Sequence, residues 1–398
     1  AADFFNSQWM FGISDGFDIV IGNPPYCQVQ KRKYSAETFP YSEGKDVGKQ
    51  NLYKLFIEYS YNALKSEGVA CLIVQSSLMC DMSSSYTREL LLKKTTIKHI
   101  IEFPKIAPTT AGQVFSSVCQ GTCICTFSKA EDTKNRFVLS INNDKTTIDD
   151  IRYTKISQDD IITDFPLRYE IPLLVDGEID LVNKLKRLPK LKNYLTKSLQ
   201  GNINTIHLKR IQSAVPTPVR ILKGAHVHRY HLSTSNIMYG LENEEVHKLY
   251  TSNADAGAVI ATQNITGTVD EYRIHASIAE CKNTPMVFLH SVNVLHLPSP
   301  RIASIILACL NSKLLDWLFR KTSTNNHCNM YELEDLPIFE IDKISNEQYS
   351  RILDLLANPI QQNMLNIQIC KLYGLTFDEV FIIDPHIKIS RNDYWSVQ

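Results

Sequence analysis

The stretch Phe17–Tyr26 constrains the fold of this chain more than any other, because it joins an apolar strand to a rigid polar turn. Its sequence reads F-D-I-V-I-G-N-P-P-Y. A nearly continuous apolar run such as Phe17–Ile21 is typical of a strand that helices cover on both faces. In open α/β sheets, ligands bind beyond the carboxyl ends of the strands. We therefore expect Asn23–Tyr26 to lie at a ligand site.

The N-P-P turn has few conformations open to it. Asn23 and Pro24 each precede a proline, which biases both towards extended backbone. Pro24 and Pro25 fix their own φ and bring no N–H group. The turn is thus a stiff ledge with two hydrogen-bond acceptors, the Asn23 side-chain oxygen and the Pro24 carbonyl, beside the Tyr26 ring. Such a ledge suits a planar amine, although an N-P-P turn can also simply end a strand.

A strand that runs into N-P-P-Y resembles the catalytic motif of the adenine-N6 DNA methyltransferases. The resemblance implies S-adenosyl-L-methionine as the cofactor, direct transfer of its methyl group to a flipped-out adenine, and no metal. Asn23, Pro24, Pro25 and Tyr26 would form the catalytic set. Phe115, after V-F-S-S, matches the aromatic that stacks on the other face of the base in this family. Judged without the resemblance, Phe115 would more often be a core or hairpin aromatic.

The residues that follow predict an α/β half-domain. Asn51 is expected to cap a helix whose apolar face carries Leu52, Leu55, Phe56, Tyr59 and Ala63. Apolar and β-branched runs predict three further regions of strand, namely Val69–Val74, Ile97–Phe103, and a hairpin of Val114–Phe127 with Phe137–Ile141.

The N-L-Y-x-x-F of Asn51–Phe56 also resembles a part of that family, the helix that walls the cofactor pocket. The resemblance implies that Asn23, Leu52 and Phe56 contact S-adenosyl-L-methionine. The expected fold class is α/β, a partial Rossmann-like methyltransferase sheet followed by a mixed α+β domain.

The proline-punctuated stretch Asp164–Pro172 is expected to link two domains, 1–165 and 166–398. In the second domain, the apolar periodicity of residues 301–320 predicts one helix. That helix, Arg220–Gly224 (R-I-L-K-G) and Lys371–Thr376 (K-L-Y-G-L-T) resemble the specificity domain of TaqI-like methyltransferases and restriction-modification enzymes. The resemblance implies sequence-specific recognition of double-stranded DNA.

The net charge is zero, but the charges are unevenly distributed. Residues 181–241 contain eleven Lys or Arg and four His, yet no Asp or Glu. A local basic field is what phosphate binding needs, whatever the total charge. Candidates for DNA contact are Arg210, Arg220, Lys223 and Arg229. The alternative is a solvated face whose charge is balanced by acids elsewhere in the fold.

Several other classes of protein are disfavoured. No apolar run approaches the roughly 20 residues that a membrane helix needs, and the N-terminus lacks the pattern of a signal peptide. The ten cysteines form no C-x-x-C pair. Unpaired cysteines fit a reducing, cytoplasmic location.

The part of the methyltransferase family that precedes N-P-P-Y is missing. The family places a glycine-rich cofactor loop and an acidic ribose-binding residue there, whereas only 22 residues precede Asn23. We therefore expect a C-terminal portion of a longer enzyme, or one half of a split one, that is inactive alone. The strand Asp18–Ile21 would keep an unpaired edge, which a missing N-terminal part or a partner chain would complete.

Two alternatives remain at this stage. The same ledge could serve a protein-glutamine or RNA methyltransferase, although a protein methylase would not need the large C-terminal domain. The chain could also be a non-catalytic DNA-specificity module whose N-terminal half is only a docking surface.

Overall fold

The computed structural model describes residues 7–29, 37–42, 50–103, 121–141, 153–175, 177–201, 203–267, 270–324, 326–358 and 361–396. The chain divides into two compact units. Unit 1 comprises Ala1–Ile179 with Lys321–Asn325, and unit 2 comprises Asp180–Arg320 with Asn326–Gln398.

Unit 1 contains one mixed sheet with the strand order β1-β2-β4-β3-β5-β6. The pairs β1/β2 and β3/β5 are parallel, whereas β4 runs antiparallel to both of its neighbours and β6 runs antiparallel to β5. The expected α/β class is confirmed. The strands are β1 Phe17–Gly22, β2 Leu64–Gln75, β3 Thr96–Phe103, β4 Thr122–Ser128, β5 Arg136–Ile141 and β6 Tyr153–Ser157.

The predicted hairpin is wrong. β4 lies between β2 and β3, and β5 pairs with β3 instead of β4. β4 is mostly buried on both faces, as a central strand is. An apolar run identifies a strand but does not reveal its partner, so neighbours in sequence were taken for neighbours in the sheet.

The helices of unit 1 include the one expected after Asn51, which is confirmed as α2. Asn51 caps it through its side chain, which accepts a hydrogen bond from the Tyr53 N–H at 3.4 Å. The helices are α1 Ser7–Phe11, α2 Leu52–Ala63, α3 Ser77–Cys80, α4 Ser85–Lys94 and α5 Gln158–Asp164.

The expected apolar face of α2 is wrong except at Leu55, because the buried face also contains Tyr53, Ile57 and two charged side chains. Lys54 and Glu58 are buried, whereas Phe56 and Tyr59 are exposed. The Lys54 ammonium donates to the Ser83 backbone oxygen at 2.6 Å and the Ser83 hydroxyl at 2.7 Å. Glu58 accepts from two backbone N–H groups at 3.0 and 2.7 Å. Burial of a charge is tolerable when it is hydrogen-bonded, and hydrophobic periodicity cannot show this.

The stretch expected to link the domains is bonded into unit 1. The Arg88 side chain is fully buried. Its guanidinium donates to the backbone carbonyls of Arg168 at 2.7 Å, Tyr169 at 2.9 Å and Asp81 at 2.8 Å. These bonds tie residues 168–169 to the region of α3 and α4.

Unit 2 contains two four-stranded sheets, with the orders β13-β9-β10-β8 and β12-β11-β14-β7. Except for the parallel pair β9/β13, neighbouring strands are antiparallel. The strands are β7 Lys197–Gln200, β8 Gln212–Ser213, β9 Arg220–Leu222, β10 Met238–Gly240, β11 Ala258–Gln263, β12 Ala276–Ile278, β13 Met286–Phe288 and β14 Val292–Leu297.

The single helix expected over 301–320 is wrong, because α9 and α10 meet at an angle of 65°. The Asn311 side chain leaves the helix to pair with the backbone of Ala276, at 3.1 Å to its N–H and 2.9 Å to its carbonyl. The Ser312 hydroxyl then accepts from the Leu315 N–H at 3.2 Å and so starts α10. The apolar pattern continues across this break and hides it.

The helices of unit 2 are α6 Ile179–Lys186, α7 Leu208–Ile211, α8 Glu244–Ala254, α9 Pro300–Leu310, α10 Lys313–Thr322, α11 Met330–Glu334, α12 Asn346–Leu356, α13 Gln362–Leu372, α14 Phe377–Ile383 and α15 Arg391–Ser396. In the described part of the chain, no single helix is long and apolar enough to cross a membrane. The bent pair α9 and α10 passes that test by length and composition only.

Candidate active site

The N-P-P-Y ledge begins directly after β1, at the edge of the sheet where β2 and β3 also end. Gly22, the last residue of β1, lies opposite Leu72 in the parallel register. A Cβ atom on Gly22 would lie 3.2 Å from the Leu72 side chain. Glycine thus lets β1 approach β2 closely at the point where the ledge leaves the sheet.

Tyr26 fixes the far end of the ledge. Its hydroxyl donates to the Ile73 carbonyl oxygen of β2 at 3.1 Å. Burial, with a smaller effect of Cys123, raises the pKa of Tyr26 to about 12. The phenol therefore keeps its proton, and can donate this bond, throughout the neutral range. Asn23 is exposed and Pro24 is buried, so the amide stands at the surface on a fixed base.

Asn51 and Leu52 together join the end of the ledge to the start of α2 and the end of β2. The Leu52 N–H donates to the Cys27 carbonyl at 2.9 Å, immediately after Tyr26. The Asn51 side-chain amide donates to the Gln75 side-chain oxygen at 3.1 Å, and Gln75 is the last residue of β2. The sequence indicated Asn51 as a helix cap, but nothing in it singled out Gln75.

Leu52 and Phe56, the expected cofactor contacts, lie one turn apart on α2. Leu52 is half-buried and Phe56 is 42% exposed. Residues four apart share a helix face. The bond from Leu52 to Cys27 places the start of this face beside the ledge. Phe115 lies outside the described residues.

The cysteines of the central strands are buried thiols. Burial raises the pKa of Cys125 to about 12 and that of Cys123 well above its usual range. Both thiols are therefore protonated and poor nucleophiles at neutral pH. Within the described ranges, no group of three or more His, Cys, Asp or Glu side chains is placed to hold a metal ion.

β1 stands at the end of the sheet and pairs only with β2 among the described strands. Ile19 is 65% exposed and Ile21 is 79% exposed. Asp18 forms an exposed ion pair with Lys65. A strand with an open edge and uncovered apolar side chains can pair with further polypeptide.

Several cations of the basic stretch 181–241 are paired with acids from outside it. Lys184 contacts Glu379 at 2.8 Å. Lys192 pairs with Asp335 at 3.3 Å, and Arg210 pairs with Glu245 at 3.0 Å. The structure thus contains part of the charge balance that was the alternative to phosphate binding.

Two predicted DNA contacts keep their charge available. Arg220 is half-buried on β9 and Lys223 is exposed just after it, and neither forms an ion pair with a described residue. Arg229 is different, since its guanidinium bonds the Asn311 carbonyl and lies 3.4 Å from the centre of the Tyr272 ring. Arg229 thus fastens the break between α9 and α10.

Comparisons with known proteins bear first on unit 1. Residues 1–108 match the model of the Eco57I restriction-modification methylase family. A putative type II restriction enzyme and methyltransferase of Methanocaldococcus jannaschii is 29% identical over 171 residues, which cover 41% of this chain and 14% of that protein. The expected resemblance to restriction-modification methylases is confirmed for this part of the chain.

Two solved structures share the fold over most of the chain. The type IIL restriction-modification enzyme MmeI in complex with DNA matches with a TM-score of 0.56 and 10% identity, over 95% of this chain and 57% of that one. The DrdV–DNA complex matches with a TM-score of 0.51 and 11% identity, over 85% of this chain and 44% of that one. The chain spans about half the length of these relatives.

The buried Lys54 predicts a specific dependence of stability on pH. Burial lowers its pKa from 10.5 to about 8. Below pH 8 both folded and unfolded chains bind the proton, and the folded chain bears the cost of burying the charge. Between pH 8 and 10.5 the folded chain releases the proton first, so its stability rises.

We expect the unfolding free energy of the native chain, measured relative to that of Lys54→Met, to rise by up to about 3 kcal/mol between pH 8 and 10.5. Denaturant unfolding at pH 7, 8, 9 and 10 measures it. Lys134→Met, at an exposed turn, is the control and should show no such trend. A constant difference for Lys54→Met would contradict a lowered pKa.

Proposed function

We propose that this chain is part of a sequence-specific DNA methyltransferase of a restriction-modification system, which methylates N6 of a flipped-out adenine. The observation that carries the proposal is the N-P-P-Y ledge at the carboxyl edge of the sheet, held by the bond from Tyr26 to Ile73. The family match of residues 1–108 supports it. The DNA complexes among the structural relatives are consistent with it.

The chemical task of the ledge is to make a poor nucleophile reactive. The lone pair of an adenine amino group is delocalised into the ring. The Asn23 side-chain oxygen and the Pro24 carbonyl would each accept a hydrogen bond from one N–H group of the adenine amine. The nitrogen then moves towards tetrahedral geometry, and its lone pair is no longer delocalised into the ring. S-adenosyl-L-methionine, when bound, supplies the methyl group. Asn23 and Pro24 would hold the amino nitrogen in position to receive that group, and the extra proton of the methylated amine would afterwards pass to water.

Orientation supplies most of the rate enhancement in this account, since fixed geometry can contribute about 7–11 kcal/mol. The Tyr26 bond to β2 and the two prolines hold the acceptors in place before the base arrives. Leu52 and Phe56 would form one wall of the cofactor site, together with Asn23.

A base must leave the duplex to reach the ledge, which costs a few kcal/mol. Stacking on Tyr26 would return about 1–3 kcal/mol, and we propose Phe115 for the other face of the base. Unit 2 would act as a TaqI-like specificity domain. Arg220 and Lys223 are the proposed phosphate contacts, and the proposal does not extend to Arg229, whose guanidinium is already bonded.

The exposed edge of β1 leads to a further part of the proposal. An additional strand, from sequence that flanks this chain or from a partner chain, would pair with β1 and complete the cofactor pocket. The uncovered Ile19 and Ile21 side chains support this.

Asn23→Ala tests the catalytic role of the ledge. In the product of the complete gene, we expect methyl transfer to duplex DNA to fall by about 100-fold or more, as when one preorganised hydrogen-bonding group is removed from other active sites. DNA affinity should be unchanged, because Asn23 is proposed to contact the flipped base and the cofactor, whereas the phosphate contacts are assigned to Arg220 and Lys223. Incorporation of labelled methyl groups and a filter-binding titration measure the two quantities.

Asn392→Ala, on the exposed face of α15, is the matched control and should retain full activity. Retained methyl transfer by Asn23→Ala would remove this residue from the mechanism. Equal losses of methyl transfer and of DNA affinity would also count against its assigned role.

Ile21→Lys tests pairing at the β1 edge. Because Ile21 is exposed in this chain, its replacement should change the unfolding free energy of the chain by less than about 0.5 kcal/mol. In the complete gene product it should lower cofactor affinity, since a charge would stand on the apolar sheet face that the added polypeptide is proposed to cover. Leu167→Lys, at a residue 80% exposed in the same unit, is the control. If both variants bind cofactor equally well, the edge is not an interface.

A further inference from the structure

Residues 203–217 of unit 2 include apolar side chains that pack in a small core. Between them lie exposed side chains that form no hydrogen bond or ion pair with a described residue. We propose that this segment is the base-reading element of unit 2, with Ile206, His207, Lys209, Gln212 and Val215 directed at base edges in the major groove. The proposal rests on the function proposed above, because it names the residues that would select the DNA sequence.

The anchors of the segment are apolar and lie in one small core. Ile211 is buried together with Val219 and Val246, and Ile203 and Leu208 pack against the same cluster. The Leu241 N–H donates to the Ile211 carbonyl at 2.7 Å. The segment is thus fixed to the fold every few residues.

Two short-range contacts hold the backbone between the anchors. The Asn204 side chain accepts from the Ile206 N–H at 3.2 Å. The Ser213 hydroxyl accepts from the Val215 N–H at 3.1 Å and donates to the Val215 carbonyl at 2.7 Å. β8, which contains Gln212 and Ser213, pairs with β10. The exposed side chains therefore project from an ordered backbone, which lowers the entropic cost of binding.

The exposed positions alternate with the anchors. Ile206 is 77% exposed and Val215 is 63% exposed. His207, Lys209 and Gln212 are also exposed, and their side chains make no hydrogen bond or ion pair with a described residue. Single exposed apolar residues are ordinary, but here two of them stand among three unbonded polar side chains on one short, rigid segment.

This mixture of side chains suits the major groove. The side-chain amide of glutamine can donate a hydrogen bond to N7 of adenine through its nitrogen and accept one from the N6 amino group through its oxygen. Lysine donates to O6 and N7 of guanine. Isoleucine and valine can contact the thymine methyl group, which is the apolar feature of the groove. A lipid or protein surface would favour a contiguous apolar patch, whereas Ile206 and Val215 are separated by polar residues.

The segment itself is free of acids, and its Lys209 forms no ion pair with a described residue, whereas Arg210 pairs with Glu245 from outside the basic stretch. The segment lies within the acid-free stretch 181–241. Arg220 is opposite Tyr239, which is opposite Ser213, in one row across β9, β10 and β8. Residues directly opposite one another share a face of the sheet. The proposed phosphate contact Arg220 thus shares a sheet face with Ser213, at the end of the base-reading segment.

Selection from a pool of duplexes with a random central region tests the proposal on the full chain. The native chain should enrich a sequence motif. Gln212→Ala, His207→Ala and Lys209→Ala should each relax the preference at one or more positions, with discrimination falling about 5- to 150-fold, or ~1–3 kcal/mol. Arg220→Ala should instead weaken binding to all sequences alike and leave the motif intact.

His386→Ala and Lys388→Ala, at exposed positions of the same unit, are the matched controls and should reproduce the native motif. If the three segment variants also reproduce it in full, the segment does not read bases, while the proposed function stands. If the native chain binds duplexes without a motif, or does not bind them, the proposed function fails and the inference fails with it. Thermal unfolding of each variant checks that the fold is retained.

Discussion

The bond from the Tyr26 hydroxyl to the Ile73 carbonyl is the interaction on which the rest of the candidate site depends. It holds the N-P-P turn against the neighbouring strand β2. The turn needs this bond because Pro24 and Pro25 have no backbone N–H groups with which to bond that strand. The close approach of Gly22 to Leu72 brings the turn within reach of that strand. Because burial keeps the pKa of the phenol at about 12, the anchor does not respond to pH in the neutral range.

In both units, asparagine side chains at helix ends form hydrogen bonds to a neighbouring strand. Asn51 caps α2 and bonds the end of β2 through Gln75. Asn311 has a comparable role in unit 2, where it ends α9 and bonds the backbone of β12. In each unit, an asparagine side chain at the end of a helix therefore forms hydrogen bonds that link this helix end to a neighbouring strand.

The sequence predicted most of the features that depend on neighbouring residues in the chain. It located β1, the ledge, the start of α2 and the strands β2 and β3, since each has an apolar run or a capping residue of its own. It failed where a distant partner decides. The position of β4 between β2 and β3, the burial of Lys54 and Glu58, and the break at Asn311 all depend on residues far away in the sequence. Of the base-reading segment, the sequence singled out Arg210 alone as a DNA contact, because short exposed segments carry no periodic signal.

The two sides of the candidate site differ in how complete they are. The ledge that would handle the base is bonded to β2 and α2, whereas β1, next to it, exposes Ile19 and Ile21. The family match covers residues 1–108, and the chain spans about half the length of the two solved structures that share its fold. The ledge geometry therefore accounts for the proposed chemistry more fully than for cofactor binding.

The most direct test of the central claim is the identity of the methylated base. Duplex DNA would be treated with the complete gene product and S-adenosyl-L-methionine bearing a deuterated methyl group, then digested to nucleosides and weighed by mass spectrometry. The account predicts deuterated N6-methyladenine, and its loss in Asn23→Ala. Label in N4-methylcytosine, in C5-methylcytosine or in protein glutamine would contradict it.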